Sequence, residues 1–277
     1  LAGNYLKRLP SELFSLSNIT VLSVRNNSLE LLPAVINQLS RIQSLNIAGN
    51  KLKHLPWELL EIMCHRGHHC KVIIRPNPLV QPWELGEWIA SADPKMISGK
   101  DNYSGRLTRD DLDLRLKSVI RSLDLDHHIS DGNCLIYLAS STIKYFTIDG
   151  SRVSAAHVTK AVHCSVPSLF ELKLRTLQAL DCTRSVLTSL EPYISPAMMS
   201  ILDRTISFPA EFCSVCGHPF IVARAKGMEY WFRGQHGQVG QQELRPDAVL
   251  PFLCKACSWA CAQPRKLGRV CLSQDLS

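Results

Sequence analysis

The chain has 277 residues, of which 45% are hydrophobic, and a formal net charge of +7 at neutral pH. This length suffices for two modest domains joined by a linker, and the hydrophobic fraction is ordinary for a globular protein. No apolar run approaches the roughly 18 residues that span a bilayer, so the sequence predicts no membrane segment. The lysines and arginines are scattered without a long run, which is weak evidence for a nucleic-acid partner.

The N-terminal part of the chain repeats with a period of 23 residues. Asn4, Asn27 and Asn50 follow one another at this interval. Leucines and Leu-Pro steps keep the same interval, at Leu6, Leu29 and Leu52 and at Pro10, Pro33 and Pro56. The shared pattern is L-x-x-L-x-L-x-x-N-x-L-x-x-L-P. Its agreement at most fixed positions makes an internal repeat the primary feature of the sequence.

Over residues 1–83 this pattern resembles the leucine-rich-repeat family, in the short Leu-Pro variant typical of intracellular members. The resemblance implies short parallel strands in which Leu22 and Val24 point inward, while Asn27 satisfies backbone groups in the following turn. One repeat cannot bury its own apolar edge, so we expect neighbouring repeats to stack into a solenoid. Because Leu1 lies within a repeat, we expect the sequence to be a fragment of a longer chain.

The strand residues that point away from this core predict a concave face. They are Ser23, Arg25, Asn46, Ala48, Ile73 and Arg75. Repeat proteins commonly bind partners on such a face, so the sequence predicts a protein partner there. A plain solvated exterior is the alternative interpretation.

A run of two cysteines and three histidines, residues 64–70, interrupts the last repeat. Both residue types bind zinc, but their spacing here matches no common site. We therefore interpret the run as a polar loop, with metal binding as the alternative.

The middle of the chain combines a linker with short elements. Residues 91–110 are rich in Asp, Lys, Ser and Gly and lack periodicity, which indicates a flexible linker. Apolar residues then recur at helical spacing, at Leu112, Leu116, Val119, Ile120 and Leu123. Residues 134–153 carry the turn signal Asp149-Gly150 and a set of apolar and aromatic residues, which predicts a β-hairpin; these are Leu135, Tyr137, Ile143, Tyr145, Phe146, Ile148 and Val153.

Two helices are predicted next. The first begins after Ser168, which has capping-box spacing to Glu171, and the second follows Ser195-Pro196. The segment Ser168–Lys173 is similar to the helix by which ubiquitin-ligase substrate receptors bind elongin-type adaptors, although Lys173 departs from that motif. The resemblance implies that Leu169 docks into an apolar groove of the adaptor. The alternative is that Leu169 packs inside its own chain.

Four of the eleven cysteines form two C-x-x-C pairs, Cys213/Cys216 and Cys254/Cys257. Each pair presents two thiolates from one tight turn, and two pairs complete a tetrahedron around zinc. Soft thiolates select zinc or iron, and the absence of other cluster-type spacing favours zinc. The sequence therefore predicts these four ligands. Substitutes that lie close in sequence are Cys261, Cys271, His218 and His236.

The segment between the two pairs contains two strand-like runs, residues 220–222 and 228–232. Together with the cysteines they resemble a zinc ribbon. The predicted fold class is therefore α/β, with a leucine-rich-repeat solenoid and a C-terminal α+β zinc-ribbon-like domain. Its predicted parts are a solenoid, a linker with a short helix, a hairpin plus helical region, a zinc-binding module and a tail, over residues 1–86, 87–130, 131–208, 209–265 and 266–277.

These features predict a non-enzymatic, intracellular adaptor protein, cytoplasmic or nuclear, that binds a partner through its repeats and holds a structural zinc. No phosphate loop, nucleophile elbow or metalloprotease motif is present, so catalysis is not expected. The alternative is a nucleic-acid-binding zinc ribbon. It rests on cations near two aromatic residues, namely Arg224, Lys226 and Arg233 beside Tyr230 and Trp231.

Overall fold

The fold is known from a computed structural model. It describes residues 1–64, 70–84, 89–90, 108–122, 135–158, 167–179, 189, 193–207, 210–234, 248–262 and 270–271. The chain divides into two compact units, neither of them continuous in sequence. Unit 1 comprises Leu1–Thr142, Met228–Leu253 and Pro264–Ser277, and unit 2 comprises Ile143–Gly227 and Cys254–Gln263.

The described helices and strands are numbered here in chain order. The α-helices are α1 (Trp57–Cys64), α2 (Arg109–Ser122), α3 (Ala155–Val158), α4 (Leu169–Ala179) and α5 (Pro196–Ser207), and two 3₁₀ helices span Ser11–Ser15 and Ala34–Gln38. The strands are β1 (Val21–Ser23), β2 (Ser44–Asn46), β3 (Leu55–Pro56), β4 (Lys71–Ile73), β5 (Ile89–Ala90), β6 (Leu135–Ser141), β7 (Lys144–Phe146), β8 (Arg152–Val153), β9 (Glu211–Phe212), β10 (Pro219–Phe220), β11 (Ala225–Arg233), β12 (Val249–Ala256) and β13 (Val270–Cys271).

Strands β1, β2 and β4 of unit 1 form a three-stranded parallel sheet. Leu22 pairs with Leu45, and Leu45 pairs with Val72, so equivalent apolar positions lie side by side. All three side chains are buried. The residues on either side of them in each strand are exposed or half-buried, as expected for a strand with one face on a core.

Three buried asparagines connect the turns that follow these strands. Asn50 Nδ2 donates to the carbonyls of Ile47, at 2.9 Å, and of Val24 in the preceding turn, at 3.1 Å. Its Oδ1 accepts from the amide of Leu29 at 3.1 Å. Asn27 and Asn77 bond in the same way, each to a carbonyl in its own turn and to backbone groups of the preceding repeat. Since buried backbone groups need partners, this repeated bonding explains the spacing of the asparagines.

The predicted fold class is wrong, because the described chain is a mixed α/β protein with several sheets and not a solenoid followed by a zinc-ribbon-like domain. The parallel sheet stops at three strands. Between β2 and β4 the chain forms β3, which pairs with Phe252 and Leu253 of β12, and then α1. These N-terminal residues therefore complete a core with residues distant in sequence, which a self-contained stack of repeats would not need.

Strands β11 and β12 run through the centre of the largest sheet, whose order is β13-β6-β11-β12-β3. Tyr230 and Phe232 of β11 are buried, and helix α2 covers this core with Leu112, Leu116 and Val119. The observed helix confirms the one predicted from the spacing of these residues. Leu123, which was part of that prediction, lies outside the described residues. The aromatic ring of Trp231 contacts those of Trp57 and Tyr137, with centroids 6.5 and 5.6 Å apart.

Unit 2 contains two hairpins and a pair of packed helices. Strands β7 and β8 pair antiparallel around the predicted Asp149-Gly150 turn, where Gly150 has a φ of +82°. β6, which the sequence placed in the same hairpin, pairs instead with β11. Helices α4 and α5 pack together through a core that contains Leu174, Ile201 and Leu202.

The predicted ribbon hairpin between residues 220–222 and 228–232 does not form. β10 ends at Phe220 and pairs with β9, whereas β11 pairs with β6 and β7. The reason is that four consecutive residues of β11, 229–232, are buried, which gives the strand two buried faces. A strand buried on both faces belongs inside a large sheet and not in a two-stranded ribbon.

Candidate metal centre

Four cysteine sulfurs of unit 2 lie close enough together to bind one metal ion. The Sγ atoms of Cys213, Cys216, Cys257 and Cys261 are all within 4.8 Å of one another. Cys257 Sγ lies 3.5 Å from Cys216 Sγ and 3.9 Å from Cys261 Sγ. Tetrahedral zinc with Zn–S bonds of about 2.3 Å requires sulfurs about 3.8 Å apart, so the spacing fits such an ion.

The first two cysteines lie on the turn that joins β9 to β10. The amide of Gly217 donates to the Cys213 carbonyl, and the amide of Cys213 donates to the His218 carbonyl, both at 2.9 Å. Gly217 has a φ of +71°, a conformation that glycine adopts without strain. These bonds close the tight turn predicted from C-x-x-C-G, with Cys213 buried and Cys216 exposed.

The other two cysteines lie on the turn that follows β12. The amide of Cys261 donates to Ser258 Oγ at 3.3 Å, and that of Ala262 donates to the Trp259 carbonyl at 3.0 Å. These bonds curl residues 257–262 so that Cys257 and Cys261, four positions apart, face the same group of sulfurs.

Backbone contacts tie the two turns to each other. Both the amide and the Oγ of Ser214 donate to the Lys255 carbonyl at 3.0 Å. The amide of Arg224 donates to the Ala256 carbonyl at 2.8 Å. Beneath the sulfurs, Phe220, Ala225 and Ala256 form a small apolar core with Cys213. The cysteines are therefore positioned by secondary structure and packing on both sides.

The closeness of the sulfurs changes their protonation. The thiol of Cys257 donates a hydrogen bond to Cys213 and, against the effect of burial, lowers the pKa of Cys213 to about 4. The same hydrogen bond raises the pKa of Cys257, and burial raises the pKa of Cys261. One thiolate is thus stabilised by its neighbours. Four thiolates at this spacing would repel one another unless a cation lay between them.

The structure brings together three of the four predicted ligands and places Cys261, a predicted substitute, with them. Cys254 is not part of the group. Since β12 extends to Ala256, Cys254 lies within the strand and Cys257 lies on the turn that follows it, so the two do not share one tight turn. Two features of the sequence could have indicated this arrangement. One is the apolar run of residues 248–253, which predicts a strand, and the other is the C-x-x-x-C spacing of Cys257 and Cys261.

The other predicted substitutes are not in the group of sulfurs. His218 is described and exposed, but it does not join the group. His236 and the side chain of Cys271 lie outside the described residues, as do residues 65–69 of the cysteine- and histidine-rich run.

The residues predicted to bind a partner have different exposures. Arg25 is exposed, Ile73 is 37% exposed, and Ser23 and Asn46 are half-buried. Arg75 is half-buried, and its Nη2 donates to the Val249 carbonyl of the same unit at 3.3 Å. On α4 of unit 2, Leu169 is 73% exposed.

The aromatic residues of the nucleic-acid alternative do not form a stacking surface. Tyr230 and Trp231 are both fully buried. Arg233 Nη1 donates to the Val72 carbonyl at 2.8 Å, and the guanidinium of Arg224 lies over the ring of Trp259, 5.1 Å from its centroid. Because bases stack only on accessible rings, these residues do not support single-strand binding.

No model of a protein family matches the chain, and a comparison with curated proteins finds no match. Within the described residues, no helix is long and apolar enough to cross a membrane.

Proposed function

We propose that this chain is a non-enzymatic interaction protein of the adaptor type, in which one structural zinc ion holds the cysteine turns of unit 2 together. The observation that carries this proposal is the group of four sulfurs. An all-cysteine tetrahedron leaves no position open for water or substrate, so the ion has a structural role. Thiolate ligands also require reduced cysteines, which favours an intracellular location.

The choice of zinc rests on the ligands. Four sulfur donors suit a soft or borderline ion, and magnesium and calcium prefer oxygen. Two short turns that each supply two thiolates are typical of structural zinc sites. The turns have few apolar contacts of their own, because their core is a small cluster around Phe220 and Ala256. In zinc-finger peptides the ion contributes about 10–16 kcal/mol to folding, which is more than such a cluster supplies.

Zinc binding is tested by a matched pair of cysteine variants. Cys261→Ser should lower the zinc content of the purified chain well below one ion per chain and lower its melting temperature, because it removes a ligand. Cys254→Ser is the control and should keep its zinc. Mass-spectrometric metal analysis measures both. If Cys261→Ser keeps its zinc, or both variants lose it equally, the proposed ligand set is wrong.

Two surfaces are candidates for partner binding. One is the exposed face of the three-stranded sheet, with Ser23, Arg25, Asn46 and Ile73; Arg75 contributes less because it binds within its own unit. The other is α4, where Leu169 and Leu172 are 73% and 44% exposed while Leu174 is buried. Exposed leucines on a helix suit an apolar groove, and we propose an elongin-type adaptor as the partner of α4.

The α4 surface is tested in a pull-down with an elongin-type adaptor. Leu169→Ala should lose the adaptor and keep its zinc and its melting temperature, because this side chain packs against little of its own chain. Leu114→Ala, which alters a leucine of α2 that is 67% exposed, is the matched control and should bind as the parent does. An adaptor that binds neither the parent chain nor its variants, or binds all of them equally, would contradict the proposal.

A further inference from the structure

A cleft of about 310 Å³ in unit 2 has no role in the proposed metal site. It lies among α5, the β7–β8 turn, residues 221–223 and the start of β11. Its lining includes Phe146, Asp149, Ser200, Ile201, Arg204 and Lys226. Its volume lies at the lower end of the range for small-molecule sites, and its wall combines apolar and charged side chains as such sites do.

Two cations, Lys226 and Arg204, line this cleft. Arg204 and Lys255 both pair with the same carboxylate, that of Glu211. Within the described residues Lys226 has no ion pair, and its Nζ lies over the ring of Phe146, 4.9 Å from the centroid. Glu211 thus forms ion pairs with two of these three cations and attracts Lys226 without an ion pair. Burial lowers the pKa of Lys226, and repulsion from Lys255 and Arg204 lowers it further.

Among the described residues that line the cleft, the one acidic group is Asp149, which is bound within its own turn. Its carboxylate accepts hydrogen bonds from Thr147 Oγ1 and from the amide of Ser151. It therefore does not neutralise Lys226. A charged cleft with apolar walls concentrates its field, so an anion that enters beside Lys226 gains attraction from two cations at once.

We propose that this cleft binds a small phosphate monoester, with its phosphate between Lys226 and Arg204 and its organic group on the apolar wall of Phe146 and Ile201. A phosphate dianion suits two adjacent cations better than a single carboxylate does, because each cation can donate to a separate oxygen. Ser200, which is exposed on α5, offers a hydroxyl to the same group. Small residues at Gly150, Ala197 and Ala223 keep the cleft open.

Calorimetric titration of the 277-residue chain with phenyl phosphate, inorganic phosphate and benzoate tests this site. Phenyl phosphate should bind more tightly than inorganic phosphate, and sodium chloride should weaken both. Lys226→Gln should weaken phenyl phosphate by about tenfold or more, since it removes one charge-assisted bond. Lys173→Gln, which alters an exposed lysine of α4 outside the cleft, is the control.

Ser200→Asp provides a second variant in case Lys226→Gln does not fold. It places a carboxylate in the cleft at an exposed position, so the fold and the zinc content should persist while phenyl phosphate binding is lost. Absence of phenyl phosphate binding to the parent chain overturns the proposal, as does equal binding to all four proteins. Benzoate binding as tight as that of phenyl phosphate overturns the assignment of phosphate.

Discussion

At the scale of single residues, the structure explains the asparagines of the repeat by their hydrogen bonds. The side chain of Asn50 is buried and serves backbone groups on two successive turns, those of Val24 and Ile47, and the amide of Leu29. A smaller residue at this position would leave these groups without partners in the core. An unpaired buried polar group costs about 1–3 kcal/mol.

We therefore expect Asn50→Ala to lower the free energy of unfolding by about 2–4 kcal/mol, since several backbone groups lose their partner together. Asn18→Ala, which alters an exposed asparagine near β1, should cost less than about 0.5 kcal/mol. Urea unfolding followed by circular dichroism measures both. Similar losses for the two variants would show that the buried bonds are not what distinguishes Asn50.

At the scale of elements, α4 forms one of the two hydrogen bonds of the predicted capping box and not the other. The amide of Glu171 donates to Ser168 Oγ at 3.2 Å, as the capping-box spacing predicts. The Glu171 carboxylate does not return to the Ser168 amide. It accepts from the amides of Ile221, at 2.6 Å, and Val222, at 3.3 Å, and pairs with Arg175. The side chain thus ties α4 to the segment that follows β10.

Loss of this link should destabilise unit 2. Glu171→Ala leaves the two buried amides of Ile221 and Val222 without their acceptor and removes the ion pair with Arg175, so we expect the free energy of unfolding to fall by about 2–4 kcal/mol. Lys173→Ala, on the exposed face of the same helix, is the control and should have little effect. Chemical unfolding monitored by tryptophan fluorescence compares the two variants. A Glu171→Ala protein as stable as the control would show that the contact is dispensable.

At the scale of the whole molecule, the units are built from distant stretches of sequence. Residues 228–253 belong to unit 1 together with Leu1–Thr142, although they lie between two parts of unit 2. Arg233 Nη1 donates to the Val72 carbonyl, and Phe252 pairs with Leu55. The N-terminal repeats therefore share their core with the centre of the largest sheet, and this is why the predicted fold class, a solenoid with a C-terminal zinc-ribbon-like domain, was wrong.

The features that depend on neighbouring residues could be predicted from the sequence. Period and capping signals placed α2 and α5, the Asp149-Gly150 turn and the buried asparagines, because helical spacing and turn chemistry act over a few residues. The turn at Cys213 and Cys216 is equally local.

Which distant elements meet could not be predicted from the sequence and is seen in the fold. Cys261 replaces Cys254 in the group of sulfurs because β12 continues to Ala256, and β12 is held in a sheet with β11 and β3. The Glu171 carboxylate likewise finds its partners 50 residues away, at Ile221. Spacing along the chain cannot reveal such pairings, since they form only when the chain closes long loops and buries both strands at once.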